Sequence, residues 1–567
     1  MKKHYIIGGI VVITALVLVY FFWRKDLSGK IVIPYITHQK PHIDPHLPAS
    51  DPLSDNLDEV LFDGLFNVSA NPSGMTYEDG LGSLLGVDER GIVSIKLNSD
   101  RKWHSSYTIT FEDDKITITP GETKKFNASD LRYTLQRIKR LGTLSPDYIL
   151  ISQAIKDLEF IGPDDYNVVR FDFGRERVWK DDDIKEILSF KILPASTDFT
   201  ASEFTTGSGP YMNLDVKENI HRFYKNPDGL AKIPLVQLQP FIDNSTFTTE
   251  FKNNNINVLL QTPFGSLSPI LADAEDYFYK SNISSTFFAV VFNLNRLDHD
   301  QRVALRNLLD RDTIVNRFFK TGTEQQRHIT DYKGNRDNYA DYINYSVFPT
   351  STVYVDEDIV MPDKAKYQAD LSVLPDTVKI VASQNFGYRE EYGELLEILN
   401  DPVVTQGKIK ATSVQSDVIR KGEYDALLFA FSGYRSNYLF DLYNVFLREP
   451  ELGGYSIHLL TDANNKILPE SFSAGKNLFN LDSSQGEDVL RFLEYIHSFM
   501  ATRELGDKQI YAQMIDKLEN ELALGTWLFS LPSMAYFTTQ FDRSSIDLYG
   551  KASKLSTIEK WQEKVKE

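Results

Sequence analysis

The sequence predicts an α/β fold carried behind an N-terminal transmembrane helix, and three observations predict it. Short strand-like runs such as Val93–Leu97, Val168–Phe173 and Val378–Ala382 alternate with helical stretches along the chain. Tyr5 to Trp23 is a 19-residue run without a charge. No internal repeat and no long unstructured linker interrupts the 567 residues.

Composition narrows the classes. With 42% hydrophobic, 25% charged and 12% aromatic residues, the chain can fill large packed cores. Its formal net charge is −18, from 79 acidic and 61 basic residues. A protein that neutralises phosphates needs a basic footprint, so nucleic acid is not an expected partner. There is no cysteine, which removes disulfides, thiolate metal sites, a cysteine nucleophile and a lipid-modified cysteine.

At about 1.5 Å per residue, Tyr5–Trp23 spans roughly 28 Å as a helix, close to the hydrocarbon thickness of a bilayer. Lys2 and Lys3 precede it, Arg24 and Lys25 follow it, and Tyr20 to Trp23 supply an aromatic anchor at the far interface. The run is longer than a signal-peptide core and no small-x-small cleavage pattern follows. The expectation is a retained single-pass anchor in the cell membrane, with the C-terminal body on the extracytoplasmic side.

Past the anchor, Ile31–Ile33 reads as a strand. The stretch from His38 to Asp51 holds Pro41, Pro45 and Pro48, which forbid a regular helix, and reads as an extended segment on a domain surface. Tyr107–Thr110 and Lys115–Thr119 flank Glu112-Asp-Asp as a hairpin. Asn127-Ala-Ser-Asp130 opens a helix with Leu131, Leu135 and Ile138 on one face, ended by Gly142. Val236–Leu238, Asn257–Leu260 and Phe287–Phe292 read as strands, and Asp300 as the cap of the next helix. Further strands follow at Lys408–Ala411, Ala426–Phe431 and Trp527–Leu531, with helices at Glu390–Asn400, Val489–Met500 and Met514–Leu522.

Several blocks, in order, resemble the extracellular solute-binding proteins of family 5, the peptide and nickel ABC-transporter substrate-binding proteins. They are Ile43-Asp-Pro45, Leu61-Phe-Asp-Gly-Leu65, Lys102-Trp-His104, Asn127-Ala-Ser-Asp-Leu131 and Gly207-Ser-Gly-Pro-Tyr211. Asn226-Pro-Asp228, Arg302–Asp312 with Ile314, Val315 and Gly322, and Gly422-Glu-Tyr-Asp425 complete the series. The resemblance implies a two-lobed periplasmic-binding-protein-like fold (type II, cluster C), closing at a hinge around its ligand. It implies these divisions: residues 1–25 as anchor, 26–63 as the start of lobe I, and 64–190 as its second subdomain. Residues 191–285 continue lobe I, 286–515 form lobe II, and 516–567 complete lobe I. The chain departs from the family in an insertion of about 18 residues between His104 and Asn127, read as an extra surface hairpin. Where the family commonly has Trp and then Asp, which in peptide binders holds the ligand's free amine, this chain has Phe431-Ser-Gly-Tyr-Arg435.

Candidate ligand contacts follow two strand ends: Phe431, Tyr434, Arg435, Asn437 and Tyr438 after one, Asn385, Phe386 and Tyr388 after the other. Aromatic faces with polar tips suit ligand walls, and ligands of open α/β sheets lie at such ends. His38, His42, His46 and Asp44 have the chemistry of metal ligands, but their spacing needs a helix the prolines prevent, so they read as a solvated segment and no metal site is assigned. Trp103 reads as core, and Asp181-Asp-Asp183 as a solvated turn. No nucleophile elbow, P-loop, dinucleotide fingerprint or His-Glu-x-x-His is present, so no enzyme, catalytic residue or cofactor is expected. The functional expectation is capture of a small solute, first an oligopeptide, for an ABC permease in the same membrane. The alternative is a structural or assembly component of a membrane complex that reuses the fold.

Overall fold

Lys30–Ile36 reads KIVIPYI, apolar on both faces, which suits the interior of a sheet. It forms β1, paired in parallel with β12 (Leu235–Phe241). Beyond β12 lie β11 (Ile220–Lys225) and β10 (Tyr211–Lys217), both antiparallel. The computed structural model describes residues 27–565 apart from 38–40, 48–52, 72–73, 113–114, 153, 176–178, 199–200, 202, 244–245, 261–275, 322–324, 327–342, 350–351, 353, 355–369, 384–388, 433–441, 448–476, 482–484, 503–504 and 549–552. The expected anchor, Tyr5–Trp23, therefore lies outside the described residues. Among those described, no helix is long and apolar enough to cross a membrane.

Ile31, Ile33, Val236 and Leu238 of this sheet meet Leu57 and Leu61 of the helix Ser54–Leu61. Phe537, Phe541 and Trp561, from near the carboxy terminus, close the same core.

Residues 65–192 pack around a second core. Here β4 (Gly82–Val87), β5 (Ile92–Leu97), β9 (Val168–Asp172) and β8 (Phe160–Ile161) form a four-stranded sheet, beside the hairpin of β2 (Phe66–Asn71) and β3 (Gly74–Asp79). The helix Ala128–Leu141 contributes Leu131, Leu135 and Ile138 to this core. Asn127 and Asp130 close a reciprocal capping box at its start. The inserted residues form a separate hairpin, β6 (Tyr107–Glu112) with β7 (Lys115–Pro120). The guanidinium of Arg222 covers its Phe111 ring at 5.2 Å.

The third body is built on one six-stranded sheet, ordered β13 (Val258–Leu259), β20 (Gly525–Thr538), β14 (Tyr277–Phe292), β19 (Ala426–Ser432), β17 (Val378–Ser383) and β18 (Ile409–Val414). A two-residue ladder joins β15 (Lys320–Thr321) to β16 (Gln325–Gln326). Side chains alternate across a strand, so Phe287, Ala289 and Val291 enter one core while Phe288, Val290 and Phe292 enter another on the opposite face. The helices Glu487–Ala501 and Leu505–Leu522 cover the first face, and His299–Leu308, Arg311–Phe319 and Arg389–Asn400 the second. A sheet covered on both faces explains the unbroken apolar run of Phe287–Phe292.

Several local expectations are corrected. The cap of the helix His299–Leu308 is Asp298, which forms a capping box with Gln301; Asp300 sits in the first turn. Asp181–Asp183 is the first turn of the helix Asp181–Ile187, where carboxylates favour the positive end of the helix dipole, and Asp183 is buried. The segment around Ile43-Asp-Pro45 is no solvated surface: Asp44 and His46 are buried. The strands Phe287–Phe292 and Trp527–Leu531 are parts of much longer ones.

Candidate functional site at the junction of the lobes

β14 has 16 residues and β20 has 14, so at about 3.3 Å per residue each runs roughly 45–55 Å, more than one body needs. They are paired twice. Tyr277–Ile283 match Pro532–Thr538, and Phe287–Val291 match Gly525–Ser530, with a register shift between Ile283 and Phe287. The first stretch lies beside β13, which contacts β1; the second lies beside β19. These strands thus cross from the first body into the third, and the ladder changes register where they do.

Polarity sets which edge of the third body faces that crossing. β19 runs antiparallel to β14, and its last residue, Ser432, lies opposite Thr286 at the register shift. β17 is parallel to both β19 and β18, so Ser383 and Val414 end on the same edge. Ligands of open α/β sheets bind outside the carboxyl ends of the strands. The chain leaves Ser383 and Ser432 directly into the two segments that carry the candidate contacts.

Of those contacts, Phe431 is described. It is fully buried, stacked on Phe287 at 5.3 Å and tilted against Phe429 at 4.8 Å, beneath the edge of the sheet. Asn385, Phe386, Tyr388, Tyr434, Arg435, Asn437 and Tyr438 lie outside the described residues.

A cation that local sequence does not signal sits between the bodies. Lys554, in the carboxy-terminal segment, has its backbone N–H bonded to Asn56 Oδ1 at 2.6 Å, and its ammonium donates to the Leu260 carbonyl. Burial pushes the ammonium down to about 7, and the carboxylate of Glu391 opposes that shift. Glu391 belongs to the helix Arg389–Asn400 of the third body, just past the segment holding Tyr388. Charges of opposite sign from the two sides of the crossing therefore act on each other.

Several of the ordered sequence blocks meet where the first two bodies join. His104 Nε2 donates to the Gly209 carbonyl at 3.0 Å, and Nδ1 accepts from the Gly207 N–H at 3.2 Å. Gly209 N–H reaches the Leu61 carbonyl, and Asn226 Nδ2 the Gly209 carbonyl. A Cβ on Gly207 would stand 1.9 Å from the Leu61 oxygen, so glycine is required for the close approach. Burial holds the His104 imidazole down at about 4, so it is neutral at pH 7. Trp103, also buried, donates to Asp130 Oδ2 at 3.3 Å. In the last block, Asp425 accepts from Arg296 Nε at 3.0 Å and from the Lys379 N–H at 2.8 Å, pinning the start of β17.

The buried histidine and aspartate near the amino terminus form a similar clamp. Arg137 Nη1 and Nη2 bond Asp44 at 3.0 and 2.6 Å, Nη1 also reaches His46 Nδ1 at 2.7 Å, and His46 Nε2 donates to the Lys191 carbonyl at 2.8 Å. Both ring nitrogens are occupied. Among the described residues, no group of three or more histidine or carboxylate side chains is arranged to hold a metal ion.

Two α/β bodies joined by a pair of crossing strands, with strand ends turned to the crossing, are the architecture of two-lobed solute-binding proteins. The family model of the bacterial extracellular solute-binding proteins, family 5 Middle, matches residues 92–367, the stretch that holds the blocks from Lys102-Trp-His104 to Gly322, and the resemblance to that family is thereby shown. Solved structures share the fold over nearly the whole chain. NikZ from Campylobacter jejuni, in complex with Ni(L-His), is 16% identical, with 94% of this chain and 100% of that one covered and a TM-score of 0.62. The ABC transporter substrate-binding protein CtaP from Listeria monocytogenes is 14% identical, with coverages of 94% and 99% and a TM-score of 0.64. The oligopeptide-binding protein AppA from Bacillus subtilis, in complex with a nonapeptide, is 15% identical, with coverages of 95% and 99% and a TM-score of 0.61. No curated protein matches by sequence.

Proposed function

We propose that this protein is a membrane-anchored solute-binding protein, held by Tyr5–Trp23 with its body outside the cytoplasm. It captures a small solute, in the first place an oligopeptide, for an ABC permease in the same membrane. The observation that carries the reading is the crossing of β14 and β20, with the carboxyl ends of β17 and β19 turned toward it. Closing two lobes about such strands removes water from a bound solute, so a few polar contacts become selective. Tyr434, Arg435, Asn437, Tyr438, Asn385, Phe386 and Tyr388 are the residues assigned to the ligand, with Phe431, expected from sequence to join them, packed in the core beneath. Relatives of this fold hold a nickel–histidine complex and a nonapeptide, which supports a small polar guest. Tyr434 and Arg435 stand where a peptide binder has its amine-holding aspartate, which argues against the family's way of holding a peptide amino terminus. A tether raises the effective concentration of the binder at its permease, and the reading requires no catalytic residue.

The test is gentle purification of the full chain in detergent, mass spectrometry of released small molecules, and thermal unfolding against peptide and nickel–histidine panels. One recurring compound class, which also raises the unfolding temperature, is the expected result. No recovered compound together with no thermal shift would replace capture with the assembly role.

A further inference from the structure

Rigid structure begins very close to the apolar run. Trp23 ends that run, and Leu27 is already buried. The Leu27 carbonyl accepts from Gln540 Nε2 at 2.8 Å, and the Gly29 N–H donates to Glu563 Oε1 at 2.6 Å. From Lys30 the backbone is locked into β1. Four residue steps separate Trp23 from Leu27, a reach of at most about 14 Å.

The surface around this point can be identified from the strand register. Lys30 pairs with Leu235, so the loop 226–234 between β11 and β12 lies at the same end of the sheet. Gln540 and Glu563 bring the carboxy-terminal residues to it as well, with Lys564 N–H bonded to the Gln540 carbonyl. That end exposes Leu230 (69%) and Val565 (83%), with Lys232 and Lys564 also exposed. Three carboxylates lie nearby: Asp228 is paired with Lys102, Glu563 accepts from Gly29 and Gln540, and Asp542 acts on Lys564. In a chain of net charge −18, this end presents two exposed lysines of mixed surroundings and two projecting apolar side chains. It also lies at the end of lobe I remote from lobe II. β20 passes from lobe II at Gly525 to this end at Thr538, and its stretch from Pro532 onward adds about 20 Å.

We propose that this face, formed by Leu230, Lys232, Lys564 and Val565 around Leu27–Gly29, seats lobe I directly on the anionic headgroup surface of the bilayer that Tyr5–Trp23 crosses. The proposal rests on the anchored reading given above. The short reach keeps the lysines near the screening length of the headgroup charge, and the two apolar side chains suit the interface. Lobe I becomes the fixed half and lobe II the half that swings, with the crossing held clear of the lipid.

The absence of native cysteine allows single-site labelling. The full chain, reconstituted in vesicles of mixed phosphatidylcholine and phosphatidylglycerol, is first floated after a carbonate wash. Failure to float ends the anchored reading and this proposal together. In floating protein, fluorophores at Leu230→Cys and Val565→Cys are compared with those at Tyr166→Cys and Val403→Cys, exposed positions elsewhere. The expected result is several-fold stronger quenching by headgroup-labelled lipid at the first pair. Lys232→Gln with Lys564→Gln lowers that quenching, about five-fold in seated-to-free ratio per lysine, in anionic but not in purely zwitterionic vesicles. Equal quenching at all four positions in floating protein overturns the seating while leaving the anchor intact.

Discussion

Acidification tests the junction of the first two bodies through one side chain. His104 is buried, its Nε2–H donates to the Gly209 carbonyl, and its Nδ1 lone pair takes the Gly207 N–H. A second proton on Nδ1 would face that N–H with no lone pair left to offer. Burial accordingly lowers the imidazole from 6.5 to about 4. A group whose folded value lies below its unfolded value contributes stability that is complete above pH 6.5 and disappears as pH falls toward 4, because the unfolded chain takes up the proton first. At about 1.4 kcal/mol per pKa unit, the loss reaches about 3 kcal/mol by pH 4. His104→Gln keeps a donor for Gly209 and does not titrate, so it serves as the reference. Urea unfolding of the full chain and of this variant at stepped pH should show their stability difference shrinking by about 3 kcal/mol from pH 7.5 to pH 4. Exchange of the Gly207 amide should accelerate over the same window in the parent protein. A difference that stays constant with pH would refute the reasoning.

Other perturbations follow from the same geometry. Arg137→Met strands the buried Asp44 carboxylate and His46, and unfolding should show about 3–5 kcal/mol lost; adding Asp44→Asn should recover part of it. Gly207→Ala places a methyl 1.9 Å from the Leu61 oxygen, so a loss at the upper end of about 1–3 kcal/mol or beyond is expected in the same assay. Glu391→Gln removes the charge that opposes the effect of burial on Lys554. Its ammonium, followed by nitrogen-detected resonance, should titrate below the parent's value of about 7, and an unchanged value would dissociate the two lobes' charges.

Much of the architecture could be read from local pattern. Alternation marked β5 and the inserted hairpin, and Asn127 with Asp130 announced a helix because capping chemistry lies within four residues. The apolar run Phe287–Phe292 announced a strand, and the structure shows it covered on both faces. The site was less legible. Two strand ends could be named from sequence, but that they face the crossing depends on the pairing of Ser432 with Thr286, which joins residues far apart in the chain. Lys554 gave no signal, since its neighbours Leu260, Asn56 and Glu391 come from three distant segments. The buried Asp44 and His46 were misread as solvated for the same reason: their partners, Arg137 and Lys191, are remote in sequence.

By itself, then, the sequence determined the fold class, the family resemblance and the 19-residue apolar run, all properties of short stretches and of their order. Only the tertiary structure decided that β14 and β20 each serve two bodies, which charges are buried against one another, and that Leu27 and Gly29 meet Gln540 and Glu563 from the far end of the chain. Hydrogen-bond register and desolvation depend on which distant segments are brought together, and a local stretch of residues carries no record of that.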